Sequence, residues 1–94
     1  MFEIRRGDDG AIVMSGRFTA AESDQALAFF ATVVDSVTVD FASLDYISSS
    51  GLGVLFVTHR RLTAAGHTFR VRNLNRNLRE LFRISGFDRI FDID

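Results

Sequence analysis

The chain of 94 residues contains no cysteine and no lysine, and its twelve acidic and eleven basic side chains, the latter all arginine, leave a net charge of −1. That excludes a disulfide framework, thiolate and Schiff-base chemistry and any P-loop or Ser-Lys mechanism, and it argues against electrostatic capture of nucleic acid or anionic membrane. One cytoplasmic domain over residues 1–94 is expected: it can bury roughly 60 to 65% of its unfolded surface, no apolar run approaches the roughly 20 residues of a membrane span, and no signal-peptide pattern opens the chain.

In chain order, Phe2-Glu3-Ile4-Arg5 alternates apolar and polar, Asp8-Asp9-Gly10 supplies a turn, and Ala11-Ile12-Val13-Met14 follows, which predicts an N-terminal hairpin. Thr19-Ala20-Ala21-Glu22 fits a capping box, and Leu27, Phe30 and Val34 then repeat at helical spacing as the expected stripe of a first helix. Val37-Thr38-Val39-Asp40-Phe41 is β-branched and free of glycine and proline, as suits a buried strand. It leads into Tyr46-Ile47-Ser48-Ser49-Ser50-Gly51-Leu52-Gly53, where three consecutive hydroxyls precede a second helical run. Leu52, Leu55, Phe56, His59 and Leu62 lie on one face of that helix, and Gly66 suits its left-handed end. Phe69-Arg70-Val71-Arg72 alternates as a strand near the sheet edge. Leu74, Leu78, Leu81 and Phe82 make the stripe of a third helix, Gly86-Phe87 suits a Schellman ending with Phe87 against Phe82, and Ile90-Phe91-Asp92-Ile93 reads as a last strand. The order β-β-α-β-α-β-α-β predicts an α/β fold: a mixed, mostly parallel sheet with helices packed on it.

The serine turn has two readings. Serine is a preferred N-cap, so the run can be purely structural. The open N–H groups and the macrodipole of a helix start also favour a negative group, so a phosphoserine is well tolerated there, and Gly51 and Gly53 would let another macromolecule approach the backbone. Sites in such sheets form beyond the carboxyl ends of the strands, where this turn falls.

Other chemistry is less well supplied. Asp40 and Asp45 could assist a serine nucleophile or hold Mg²⁺, but turn capping is the simpler role for each, no Gly-x-Ser-x-Gly is present, and no histidine completes a triad. His59 shares the apolar face of its helix and reads as a core or boundary residue, and with His67 as the only other histidine a zinc site would need carboxylates. Arg70, Arg72, Arg76, Arg79 and Arg83 could form a basic patch, but Glu80 interrupts it and no aromatic is interleaved for stacking. No catalytic residue, metal or cofactor is assigned.

Val39-Asp40-Phe41 followed by Ser49-Ser50-Gly51-Leu52-Gly53, Leu62 to Gly66 leading into Phe69-Arg70-Val71, and Leu81-Phe82 with Gly86-Phe87-Asp88-Arg89-Ile90-Phe91 resemble the STAS domains, specifically the stand-alone bacterial anti-sigma factor antagonists. The resemblance spans nearly the whole chain and implies a non-enzymatic protein in a partner-switching pathway. Such a protein binds an anti-sigma factor that is often itself a serine kinase, is phosphorylated by it, and is restored by a serine phosphatase. The family's acceptor hydroxyl, two residues before the turn glycine, falls on Ser49, with Ser48 and Ser50 as alternatives; Ser48, Ser49, Ser50, Gly51, Leu52 and Gly53 would meet the partner. Ser48 stands where many members have aspartate, which lowers the local charge. The resemblance also places a helix after the last strand, and contacts made through it are expected to be absent here. A monomer or weak dimer is expected. The alternative is an unmodified STAS protein, either the accessory subunit of a lipid-transport ABC system or a signalling scaffold.

Overall fold

The computed structural model describes residues 1–94. Strand β1 (Glu3–Arg6) pairs antiparallel with β2 (Ile12–Phe18), and the turn between them is closed by Gly10 at φ 86° and by the Ala11 N–H on Asp9 Oδ1. Parallel strands β3 (Val37–Ile47), β4 (Phe69–Arg72) and β5 (Asp92–Ile93) follow in the order 1-2-3-4-5. The crossovers are α1 (Ser23–Phe30), α2 (Ser49–Ala64) and α3 (Arg76–Ser85). A sequential strand order with right-handed crossovers puts all three helices on one face of the sheet. Ile12, Met14, Val37, Val39, Phe69 and Val71 point into that layer and are buried, while their strand neighbours Thr38, Asp40, Arg70 and Arg72 face the other way.

The capping box of Thr19 and Glu22 forms, but it opens a single 3₁₀ turn, Ala20–Glu22, before α1 begins. The stripe expected at Leu27, Phe30 and Val34 is corrected: Ala26, Phe30 and Val33 are buried, whereas Leu27 and Val34 are 45% and 66% exposed. The periodicity was shifted by one residue, and α1 ends at Phe30, before Val34. Strand β3 also runs six residues past Phe41. From Val13 to Ser15 its partner advances from Asp40 to Ser43, and from Gly16 to Arg17 it advances from Leu44 to Tyr46, so β3 carries two bulges. Each restores the inward face after an extra residue, and the buried positions become Phe41, Leu44 and Ile47. The last strand shrinks to Asp92–Ile93, because Phe87–Arg89 form a 3₁₀ turn and Phe91 is packed into the core.

Gly66, at φ 86°, ends α2 in a Schellman arrangement, with the His67 N–H on Leu62 O and the Gly66 N–H on Thr63 O. Gly86, at φ 80°, ends α3, and the Phe87 ring meets Phe82 edge-on at 6.3 Å, as the pattern predicted. No helix is long and apolar enough to cross a membrane.

Candidate functional site

The three crossovers set out from the carboxyl edge of the sheet: Thr19 accepts the Ala21 N–H of the 3₁₀ turn that precedes α1, whose own first turn has no side-chain cap, while Ser48 caps α2 by accepting the Gly51 N–H at 3.1 Å and Asn75 caps α3 by accepting the Leu78 N–H at 2.8 Å. At the middle start, Ser48 is fixed twice more. Its N–H donates to Phe18 O at 2.8 Å, extending the pairing of β2 and β3, and its carbonyl accepts the Leu52 N–H at 2.9 Å. Helix geometry leaves the first N–H groups of α2 without intrahelical acceptors. Phe18 takes that of Ser48 and the Ser48 hydroxyl takes that of Gly51, so the open pair belongs to Ser49 and Ser50.

The three hydroxyls therefore differ. Ser48 is half-buried and engaged as the cap, whereas Ser49 and Ser50 are exposed at the first two positions of α2 with no acidic residue in that turn. Ser49 also lines a groove that Ser50 does not reach. This groove, of about 310 Å³, is bounded on one side by Asp45, Tyr46, Ile47, Ser48, Ser49 and Leu52 and on the other by Asn77, Leu78 and Leu81 of α3. The Arg17 guanidinium lies 4.4 Å above the Tyr46 ring. Two larger concavities lie elsewhere, one among Arg76, Arg79, Glu80 and Arg83 of α3 and one around Asp9, Ser36 and Arg72; charged and polar side chains dominate both, and neither contains a residue of the serine turn.

The two glycines of the turn serve different ends. A Cβ on Gly51 would lie 2.7 Å from Ile47 Cγ1 and 3.1 Å from the Phe18 ring, so Gly51 is what lets the first turn of α2 sit against the sheet. Gly53 has open space beside it and faces solvent. Leu52 is 6% exposed and holds the groove floor. The accessible part of the predicted contact set is Ser49, Ser50 and Gly53, with Ser48 at its border. Tyr46, Asn77, Leu78 and Leu81 were not singled out as site residues; no local pattern marks them, and only the sequential strand order, which sets α3 beside α2, could have.

The remaining charged residues of interest are mostly committed. Burial alone would raise the Asp40 carboxyl, but the Ala42 N–H, the Asn73 amide and Arg72 outweigh it and hold it below its usual range. Arg72 also donates to Asp9 at 2.8 Å, which lowers Asp9 and raises the guanidinium. Arg70 pairs with Asp92 and Asp94, Arg83 with Glu80, and Arg79 donates to Asp94 O, which leaves Arg76 as the member of the arginine set without a partner. Asp45 has none either. His59 sits edge-on between Phe69 and Phe91, with a buried Nδ1 that meets no partner, and does not line the groove beside the serines.

Three comparisons bear on this arrangement. A family model described as Mlab, STAS domain matches residues 2–92. BtrV of Bordetella bronchiseptica, provisionally named an anti-sigma factor antagonist, is 34% identical over 91 residues, covering 90% of this chain and 78% of BtrV. Among solved structures, an anti-sigma-factor antagonist (STAS) domain protein from Planctomyces limnophilus superposes with a TM-score of 0.75 at 16% identity, covering 99% of this chain and 87% of the other. The Bacillus cell fate determinant SpoIIAA in its phosphorylated form gives a TM-score of 0.71 at 21% identity, covering 100% and 91%. Sequence and fold agree, and the chain belongs to the STAS domain family, among relatives that include named anti-sigma factor antagonists.

Proposed function

We propose that the protein is an anti-sigma factor antagonist whose binding to an anti-sigma factor with serine kinase activity is switched by phosphorylation of Ser49 and restored by a serine phosphatase. The observation that carries this reading is the state of Ser49: an exposed hydroxyl at the positive end of a 16-residue helix, beside a serine already occupied as the cap. The 34% identity to BtrV supports the choice of partner class.

Phosphorylation adds about −1.5 to −2 charge and three acceptor oxygens. The open N–H groups of Ser49 and Ser50 can stabilise that charge by roughly 1 kcal/mol in the free protein, so the fold survives modification. The complex does not: burying a dianion without a matched cation costs several kcal/mol, enough to weaken a micromolar complex by orders of magnitude. The switch is local electrostatics and needs no refolding.

The binding test uses the anti-sigma factors of the source organism in the presence of ATP. Ser49→Ala is expected to stay bound, and Ser49→Asp to bind roughly 100-fold more weakly while keeping its circular dichroism spectrum and melting temperature. Binding of Ser49→Asp equal to that of the unmodified protein contradicts the electrostatic account. Membership of the STAS family also admits a second reading, an unmodified accessory subunit of a lipid-transport ABC system or a signalling scaffold, in which the turn contacts its partner without being phosphorylated. There, Ser49→Ala and wild type behave alike with or without ATP.

A further inference from the structure

Phe18, the last residue of β2, reaches the serine turn with both its backbone and its ring. Its carbonyl accepts the Ser48 N–H at 2.8 Å, and its ring lies 3.1 Å from where a Cβ on Gly51 would stand. These two contacts tie the turn to a neighbouring strand, so the placement of Ser48 to Gly51 is only as definite as that of Phe18. Strand pairing alone does not fix it. Between Gly16 and Arg17 the partner on β3 advances from Leu44 to Tyr46, which interrupts the ladder just before Phe18. What closes on Phe18 instead is the segment ahead of β1. The Phe2 ring meets the Phe18 ring at 4.8 Å and is buried, although Phe2 precedes the paired residues of β1. Gly16 makes room for that segment: it sits at φ 83°, and a Cβ there would collide with the Met1 carbonyl oxygen.

We propose that Phe2 is a positioning residue for the acceptor turn: through Phe18 it holds the Ser48 cap closed and so selects Ser49 over its two neighbours as the phosphorylated hydroxyl. The proposal rests on the reading of Ser49 given above and adds what makes one hydroxyl of three the acceptor. In the transfer, the Ser49 Oγ bonds to the γ-phosphorus of ATP, the bond to ADP breaks, and the hydroxyl proton passes to the kinase. Ser48 is kept out because its hydroxyl accepts the Gly51 N–H, its own N–H donates to Phe18 and its carbonyl accepts the Leu52 N–H. Ser50 is kept out by direction, since successive helical residues point about 100° apart. Both exclusions require a first turn that does not fray, and helix ends fray unless another element holds them. Without the Phe2 ring, Phe18 has space to move away from Ser48 and Gly51. The cap then opens, Ser48 joins the exposed hydroxyls, and the direction that separates Ser49 from Ser50 is blurred.

The test compares wild type with Phe2→Ala, Phe2→Leu and Gly16→Ala, and uses Arg61→Ala, about three helical turns along α2 from Ser49, as a variant destabilised elsewhere. Native-state hydrogen exchange by NMR reads the turn. In Phe2→Ala the amides of Ser48, Gly51 and Leu52 are expected to lose protection roughly ten-fold beyond any loss at Val39 and Val71, and in Arg61→Ala to lose no more than those two. Tandem mass spectrometry after incubation with source-cell lysate and ATP reads the selection. Wild type is expected to carry its phosphate on Ser49. Phe2→Ala and Gly16→Ala should spread it to Ser48 and Ser50, with the ratio of Ser49 to the other two falling roughly three-fold or more, and Phe2→Leu, which refills the space with an apolar side chain, should restore most of that ratio. Arg61→Ala should keep the wild-type ratio. Phosphate confined to Ser49 in Phe2→Ala, or unchanged exchange at the turn, overturns the positioning role and leaves the proposed function standing. An equal change of ratio in Arg61→Ala makes it a consequence of lost stability and overturns the role as well. No phosphate on wild type contradicts the proposed function, and the selection of Ser49 falls with it.

Discussion

Ser48 gives its hydroxyl to the Gly51 N–H, and Ser49, one residue on, leaves its own to solvent. Ser48→Ala is therefore expected to lose about 1 kcal/mol of stability, a fall of roughly 4–8 °C in melting temperature, and Ser49→Ala to stay within about 0.5 kcal/mol of wild type. Differential scanning calorimetry of the two variants separates the cap from the modifiable hydroxyl. Gly51 and Gly53 diverge in the same way. Gly51→Ala drives a methyl into Ile47 and Phe18 and should cost about 1–3 kcal/mol, while Gly53→Ala meets open space in a helix and should gain about 0.5–1 kcal/mol. Opposite shifts of the urea midpoint are the expected result. In the sequence these glycines look alike, and both read as points of partner approach. What separates them is the position of the Phe18 ring, from a strand more than thirty residues earlier, which no local pattern carries.

Helix α1 is short, and the carbonyl of its last residue, Phe30, together with that of Val33 just beyond it, is held by another element. Arg61 of α2 donates to Val33 O at 2.9 Å and to Phe30 O at 2.8 Å, closing the negative end of α1 with a cation. Arg61→Ala should cost about 1–3 kcal/mol, and hydrogen exchange should show α1 amides losing protection before those of β3. Equal loss in both elements would mean that Arg61 supports the whole fold instead. The elements themselves were largely legible. The hairpin turn, the capping box, the second-helix stripe and both glycine helix ends follow from local chemistry. The length of β3 was not, because two bulges convert its buried positions to a spacing of three, a period that belongs to neither a regular strand nor a helix. The α1 stripe was misplaced by one residue because Leu27 and Val34 are apolar but exposed, and hydrophobicity alone does not report exposure.

Parallel sheets are usually covered on both faces, yet here all the crossover helices share one. The open face is polar and cross-linked: Arg72 on β4 holds Asp40 on β3 and Asp9 in the hairpin turn. The alternation of Phe69-Arg70-Val71-Arg72 was the visible trace of that arrangement. The network also sets a pH dependence. Asp9 and Asp40 lie below their ordinary value of 3.8, and Glu22 below 4.5, held by the hydroxyl and N–H of Thr19. Carboxyls lowered in the folded state favour folding while ionised, so their contribution is full above the ordinary values and is lost as pH falls through the lowered ones. The urea midpoint should be flat from about pH 7 to 5 and drop below about pH 4, and Arg72→Met should make that drop shallower. An unchanged acid limb in the variant would remove Arg72 from the account.

At the level of the molecule, the fold brings three helix starts to one edge and leaves the middle one with a free hydroxyl beside an apolar groove. The most direct test of that site as a switch is tandem mass spectrometry of wild-type and Ser49→Ala protein after incubation with source-cell lysate and ATP. Phosphate on Ser49 in the wild type and none in the variant is the predicted result. No phosphate on Ser48, Ser49 or Ser50, in a lysate shown active on a control substrate, would contradict it.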